Sequence, residues 1–339
     1  MRAATALLVA LLAFGLPAVA QGQSLLDPEP AAAPPAPAPP AAAPAPAPVA
    51  GVLELRAERV GRGRTVVAGA RWRVRGTLSP YVAGQQVTVR LVRGSSELQV
   101  KRVTLLPSST GQSGTFVVGL RSTRPGRVLV RASHEATPEL ASVVARPTTI
   151  VVLPRRVRPG SKGLAVRLLQ QRLARLGYVV GRRGSFDART ARAVLAFRKV
   201  TGMARTSAAD PAVLSRLAQG KGAFRVRFPG HGRHVEADIS RQVVALIGAG
   251  GKVERILPTS GGAPSTPTIL GSFRIYRKDF GTNSLGMVHS AYFIRGYALH
   301  GFKSVPTYGA SHGCLRVPIP DALSLFRWVR YGTPVDTYR

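Results

Sequence analysis

Three periodicities succeed one another along the chain. Between residues 51 and 153 apolar side chains recur at every second position: Val87, Val89 and Leu91 in QVTVRLV, Phe116, Val118 and Leu120 in TFVVGL, Val128 and Val130 in RVLVRA. A period of two gathers one side-chain set on a single face and predicts half-buried strands, here separated by turn-forming runs such as RGSS and SSTGQSG. From 157 to 220 the period lengthens. Leu169, Leu173 and Leu176 fall at steps of four and three, which predicts a helix that stops near Gly177. In SFDARTARAVLAFRKVTG, Asp187 is placed to cap a second helix whose face carries Ala193, Val194, Phe197 and Val200. ADPAVLSRL starts a third, with Asp210 as cap and Pro211 in the first turn. From 222 to 339 the alternation returns, with Val235, Ala237 and Ile239 in HVEADIS, two strands around a glycine-rich turn in QVVALIGAGGKVERILPTSG, and Phe273 and Ile275 beyond them. The chain therefore reads as multidomain and mainly β, with a small three-helix bundle between two β-rich units.

About seven short strands within residues 51–153 fit an immunoglobulin-like β-sandwich. Nothing in it looks catalytic, and a spacing or adhesive role suits it. His134, in SHEATPE, reads as a loop residue. Ahead of the sandwich, residues 1–20 have the layout of a secretory signal peptide: an early Arg2, an apolar run from Ala6 to Leu16, then Pro17 and Ala18-Val19-Ala20. The run is short for a membrane anchor, and no transmembrane segment is expected after cleavage. Residues 21–50 read as a disordered linker rich in proline and alanine, extended and semi-stiff. The expected location is secreted, in the extracytoplasmic cell envelope, periplasm or wall.

Charge adds a partner class. With 48 Lys and Arg against 15 Asp and Glu, the net charge is +33, which favours polyanionic surroundings. The cations are mostly arginines scattered through every segment, alternating with apolar residues as in RWRVRG, so a basic composition spread over a solvated face is an equal reading. Secretion and the lack of an aromatic–basic motif argue against nucleic acid.

The helical segment carries a resemblance. Leu169-Gln170 with Leu173, Leu176-Gly177-Tyr178, Gly184, Phe186, Thr190, Ala193-Val194 and Phe197 resemble the peptidoglycan-binding repeat of bacterial wall enzymes. Arg198 stands where that family usually has glutamine, and the stretch after Met203 lacks its aspartate-glycine pair. The resemblance implies a wall-polymer anchor over 157–220.

Candidate chemistry sits near the C-terminus, in YALHGFKSVPTYGASHGCLRVP, which holds Cys314, the only cysteine. Without a second cysteine no internal disulfide can form, and a leftover thiol in a secreted protein points to a reactive group. A thiol near its free pKa of about 8.5 is mostly protonated at neutral pH and needs a base. His312 lies two residues away; His300, fourteen residues upstream, can be returned opposite Cys314 by a strand-loop-strand path. Gly313 lets the backbone turn and expose N–H groups that, with that of Cys314, can form an oxyanion hole. The Ser311 hydroxyl can fix the loop, and the Gly301 carbonyl can hold the other imidazole nitrogen. Arg316 can bind a carboxylate. His300, His312 and Cys314 are also a partial zinc set, but no second cysteine or nearby acid completes it. His289 reads as a loop residue, and His231 and His234 as part of a turn before a strand.

The same stretch resembles the signature of the L,D-transpeptidase catalytic domain, as do TPTILGSFRIY and AYFIRGYALHG upstream, over roughly 232–338. Ile269 stands where proline is frequent, and the His300–Cys314 loop is on the short side. The resemblance implies a mostly β catalytic domain, assigned here to 222–339. Cys314 matches the nucleophile, His300 the base, His312 and Gly313 the oxyanion loop, Arg316 the following arginine, and Tyr292 and Phe293 the segment walling the donor cleft. The implied substrate is the peptidoglycan stem tetrapeptide, cut before its terminal D-alanine and joined to a second stem as a 3→3 cross-link. No metal or organic cofactor is implied; carbapenem sensitivity and a monomer are expected. Hydrolysis of the same acyl-enzyme, an L,D-carboxypeptidase, and a non-catalytic wall-binding protein are the alternatives.

Overall fold

In the computed structural model, which describes residues 46–339, the alternating apolar residues of the N-terminal region close around Trp72. The expected signal peptide and most of the expected linker lie outside the described residues. The linker's last residues are already docked: Val49 donates its N–H to Glu139 O at 3.0 Å and accepts from Ala141 N at 2.9 Å. Ten strands follow: β1 (Val52–Glu58), β2 (Thr65–Val67), β3 (Arg71–Ser79), β4 (Gln86–Arg93), β5 (Ser96–Thr104), β6 (Leu106–Pro107), β7 (Gly114–Arg121), β8 (Gly126–His134), β9 (Val143–Val144) and β10 (Thr148–Leu153). One sheet runs β1-β3-β7-β6 and the other β2-β10-β8-β4-β5, with β9 added to β8. That is immunoglobulin-like connectivity, with three more strands than the sequence suggested. The extra strands are those of two or three residues, too short to show an alternation. Gly76 of β3 is required by packing, because a Cβ there would fall 2.0 Å from the Phe116 ring. His134 corrects the loop expectation. It ends β8, is buried, and donates from Nδ1 to Gln86 O at 3.0 Å.

The bundle comprises α1 (Leu164–Arg175), α2 (Ala188–Val200) and α3 (Pro211–Ala218). Asp187 and Asp210 accept from Thr190 N and Val213 N, so both expected caps form. Gln170 is buried within the bundle. Its amide accepts from Gly184 N at 2.7 Å and shares its hydrogens among Arg182 O, Ser185 O and Thr190 Oγ1, fixing the loop between α1 and α2. Arg198, the unusual residue, is also buried, bonded to Ala204 O and to the capping Asp210. It replaces a neutral amide by a charge-assisted clamp on the next helix.

The C-terminal unit contains β11 (His234–Asp238), β12 (Val243–Ile247), β13 (Val253–Pro258), β14 (Gly271–Arg274), β15 (Arg277–Thr282), β16 (Val288–Ile294), β17 (Tyr297–Phe302), β18 (Leu315–Pro318), α4 (Ile319–Trp328) and β19 (Pro334–Tyr338). A five-stranded sheet runs β13-β12-β11-β19-β14, and a four-stranded sheet runs β15-β16-β17-β18. All five residues of β12 are buried, because the strand is covered on both faces. Val243, Ala245 and Ile247 join the helical core, whereas Val244 and Leu246 pack with α4 and the second sheet. The helical module is thus built onto the outer face of the five-stranded sheet. Asp321 of α4, buried, accepts from Arg189 of α2 and pairs with Arg192 of the same helix at 3.5 Å. Among the described residues no helix is long and apolar enough to cross a membrane.

Two histidine expectations need correction here. His234 opens β11 fully buried, bonded through Nε2 to Glu236 at 3.1 Å and through Nδ1 to Gly232 O at 2.8 Å. His231 does lie in a turn, beside Asp336 at 3.0 Å. His289 is in β16 rather than a loop; its Nδ1 accepts from Gly281 N at 3.1 Å and its ring packs on Phe280.

Candidate active site

The second sheet places the sequence-predicted groups. β17 and β18 run parallel, with Leu299 opposite Leu315 and His300 opposite Arg316. Cys314 immediately precedes β18, so its backbone comes level with Ala298, whose N–H donates to Cys314 Sγ at 3.4 Å. Ala298 and His300 are two residues apart on one strand and share a face, about 7 Å apart along it. The histidine and the cysteine line one cavity of about 560 Å³, together with Ser311, His312 and Arg316. The connecting loop is returned by a parallel pairing, which the spacing alone did not specify.

His300 is buried, and its Nδ1 lies 2.9 Å from Gly301 O. A carbonyl can only accept, so Nδ1 carries the proton and Nε2 keeps its lone pair. Burial pushes the imidazole down to about 4, with nearby Arg316 acting the same way and the Gly301 bond opposing. Burial pushes the Cys314 thiol up, partly offset by the Ala298 N–H and by Arg316. Both groups are therefore neutral at pH 7. Both shifts favour the neutral forms, a thiol beside a free imidazole base, over a preformed thiolate–imidazolium pair.

Ser311 is buried and holds the loop from within: its Oγ donates to Cys314 O at 2.6 Å and accepts from Gly313 N at 3.0 Å. This corrects the oxyanion expectation for Gly313, whose N–H is occupied. The Cys314 N–H has no backbone partner among the described residues and is the donor left for a developing oxyanion. Gly313 is still required. Its φ is +114°, and an added Cβ would stand 1.7 Å from the Tyr297 ring. Arg316 donates to Ala310 O at 3.1 Å and stacks its guanidinium 4.2 Å from the centre of the Phe302 ring, pre-oriented beside the cavity.

Tyr292 and Phe293 do not line this cavity. Tyr292 packs behind Cys314 with Met287 and Ala298, under the Arg277 guanidinium. Phe293 points the other way, into the core between sheets, against Phe273. Adjacent strand residues face opposite sides, so at most one of the two could have met the cavity. The walls are instead Leu285, Met287, Tyr297 and Phe302. Phe302 was legible as the second residue after His300 on a strand; Leu285 and Met287 come from the β15–β16 turn and carry no such signal.

Comparison with known proteins fits this geometry. The YkuD family, the L,D-transpeptidase catalytic domain, matches residues 232–336, and a peptidoglycan binding domain matches residues 162–217. The L,D-transpeptidase (residues 123–326) from Xylanimonas cellulosilytica is 32% identical over 55% of this chain and 98% of its own, with a TM-score of 0.50. An L,D-transpeptidase from Stackebrandtia nassauensis is 19% identical over 55% of this chain and 96% of its own (TM-score 0.35). One from Mycobacterium tuberculosis is 12% identical over 82% and 95% (TM-score 0.29). No curated protein matches the sequence.

Proposed function

Since the chain belongs to the L,D-transpeptidase family, we propose that it forms 3→3 peptidoglycan cross-links through an acyl-enzyme on Cys314. The observation that carries the reading is the neutral thiol and the Nδ1-protonated imidazole, both opening on one cavity. His300 Nε2 takes the thiol proton as Sγ bonds to the carbonyl carbon of the third stem residue. The Cys314 N–H stabilises the oxyanion. Collapse breaks the C–N bond to the terminal D-alanine, whose amine leaves with the proton held on Nε2. The side-chain amine of a second stem then attacks the thioester and gives its proton to His300. Sulfur leaves and is reprotonated, and a new amide joins the stems. Arg316 faces the cavity as a cation suited to a stem carboxylate. Ser311 and Gly301 orient the loop and the ring, and His312 lines the entrance.

The helical module supplies the affinity for the polymer, and its docking on the catalytic domain raises the local concentration of stems. Both domains act on the wall polymer, which implies an extracytoplasmic location. The N-terminal signal peptide, the linker and the monomeric state belong to the same proposal.

Incubation with a stem tetrapeptide and an amine acceptor, followed by mass spectrometry, tests it. The expected result is a cross-linked dimer with loss of one alanine, absent in Cys314→Ala. Tripeptide without dimer would make the protein a carboxypeptidase; no product at all would leave it a wall-binding protein.

A further inference from the structure

We infer that Lys199, on α2 of the wall-binding module, is a positioning residue for the Cys314 loop. The inference rests on the assignment of Cys314 above. Lys199 is 2% exposed. Its amine leaves its own module and donates to two carbonyls of the catalytic domain, Gln242 O and Thr259 O, each at 3.0 Å.

Both recipients are built into the bed of the catalytic loop. Thr259 Oγ1 donates to Arg316 O at 2.7 Å, two residues past the nucleophile. The next residue, Ser260, exchanges backbone bonds with Arg316 at 3.1 Å in both directions and donates from Oγ to Tyr308 O at 2.7 Å. The Gln242 side chain accepts from Gly261 N at 2.6 Å, and Gly261 O accepts from Ala310 N and Ser311 N, both at 2.9 Å. Ser311 in turn holds Cys314 O and Gly313 N. A single buried amine therefore sits beneath residues 259–261, which fix both ends of the loop.

An apolar side chain would join two modules at less cost. Burial pushes Lys199 down to about 7, with Arg205 adding to the effect, so the amine is kept there despite a desolvation penalty, and near neutral pH either protonation state retains N–H donors for both carbonyls. What it supplies that a leucine cannot is two directed bonds, to Thr259 O and to Gln242 O, the latter already paired with Thr259 N at 3.0 Å. Displacements of an ångström in a catalytic loop change rates by one to two orders of magnitude.

The test uses the full chain and the rate of carbapenem acylation at Cys314, followed by intact-protein mass, with thermal unfolding measured alongside. Lys199→Met keeps the stem and removes the donors; Thr259→Val cuts the link to Arg316. Each is expected to lower the maximal acylation rate by about tenfold or more while the half-saturating carbapenem concentration stays within about twofold. The double variant should be no slower than the slower single variant, because both act through one chain of bonds. An unchanged maximal rate in a folded variant, a loss confined to half-saturation, or fully additive losses would overturn the inference. If Lys199→Met does not fold, Thr259→Val alone decides on the same readout. No adduct on the unaltered protein would overturn the Cys314 assignment itself, and this inference with it.

Discussion

The depressed basicity of His300 makes a quantitative prediction about acid. The imidazole is 2% exposed, its pKa is lowered to about 4 by burial, and in the unfolded chain it returns to about 6.5. Between those values the unfolded state binds a proton that the folded state does not. Stability therefore rises with pH across the window and is lost as pH falls from about 6.5 towards about 4. A difference of about 2.5 units corresponds to about 3 kcal/mol at the acid end. Replacing the ring by a group that does not titrate, His300→Gln, removes that slope whatever it does to stability at neutral pH. Urea unfolding of both proteins from pH 7 to pH 4 measures it: the unaltered protein should lose about 2–3 kcal/mol more than the variant over this range. The same neutral imidazole should keep carbapenem acylation nearly level down to about pH 5, where an ordinary histidine would already be mostly protonated. An acylation profile that halves near pH 6.5, or parallel stability curves for the two proteins, would refute the buried neutral base.

Three further outcomes follow from particular contacts. Gly313→Ala places a methyl group in the Tyr297 ring at a positive φ, so it should cost at least about 2 kcal/mol and abolish the Cys314 adduct in whatever protein still folds; adduct formation at the normal rate in mass spectrometry would show that the loop can move aside. Asp321→Asn leaves Arg189 and Arg192 without their buried carboxylate, and because Arg189 is partly exposed the loss should be about 2 kcal/mol by urea unfolding, a change under about 0.5 kcal/mol counting against the bridge. Alkylation of Cys314 by iodoacetamide should be slower at pH 7 than that of a free thiol and keep rising beyond the usual thiol range, because burial holds the proton on sulfur; a plateau below pH 7 would mean a preformed thiolate.

What was legible in the sequence was local. Asp187 and Asp210 announce their helices because a cap acts within three residues, and the alternations of β4, β7 and β8 survive because one face of each meets the core. The SHGC stretch and the upstream histidine carry the proposed chemistry, and the fold opens both on one cavity. What was hidden depends on distant partners. His134 looked like a loop residue because polar neighbours surround it, yet pairing with β4 and β9 extends the strand through it. His234 and Glu236 alternate with apolar residues as solvent-facing residues would, but the loop before β11 and Tyr338 cover that face and satisfy both. Lys199 carries no signal of its own in the sequence, because its partners, Gln242 O and Thr259 O, lie 43 and 60 residues further on. The free N–H of Gly313 failed for the opposite reason: the nearest hydroxyl, two residues away, captures it.

The electrostatics of the site bear on which electrophiles it can attack. His300 is oriented by a carbonyl rather than a carboxylate, and its charged neighbour is the cation Arg316, so only the Gly301 bond favours an imidazolium, against burial and that cation. Forming the thiolate–imidazolium pair before substrate arrives is disfavoured mainly by desolvation of both groups, since Arg316 opposes the imidazolium but favours the thiolate. In the proposed mechanism proton transfer then accompanies bond formation, when the negative charge passes from sulfur to the substrate oxygen beside the Cys314 N–H. A carbonyl that cannot accept that charge well returns the proton to sulfur. The arrangement therefore selects for electrophiles activated by strain or by tight seating of the oxygen, and it leaves the resting thiol poorly reactive towards small oxidants, an advantage for a cysteine working outside the cytoplasm.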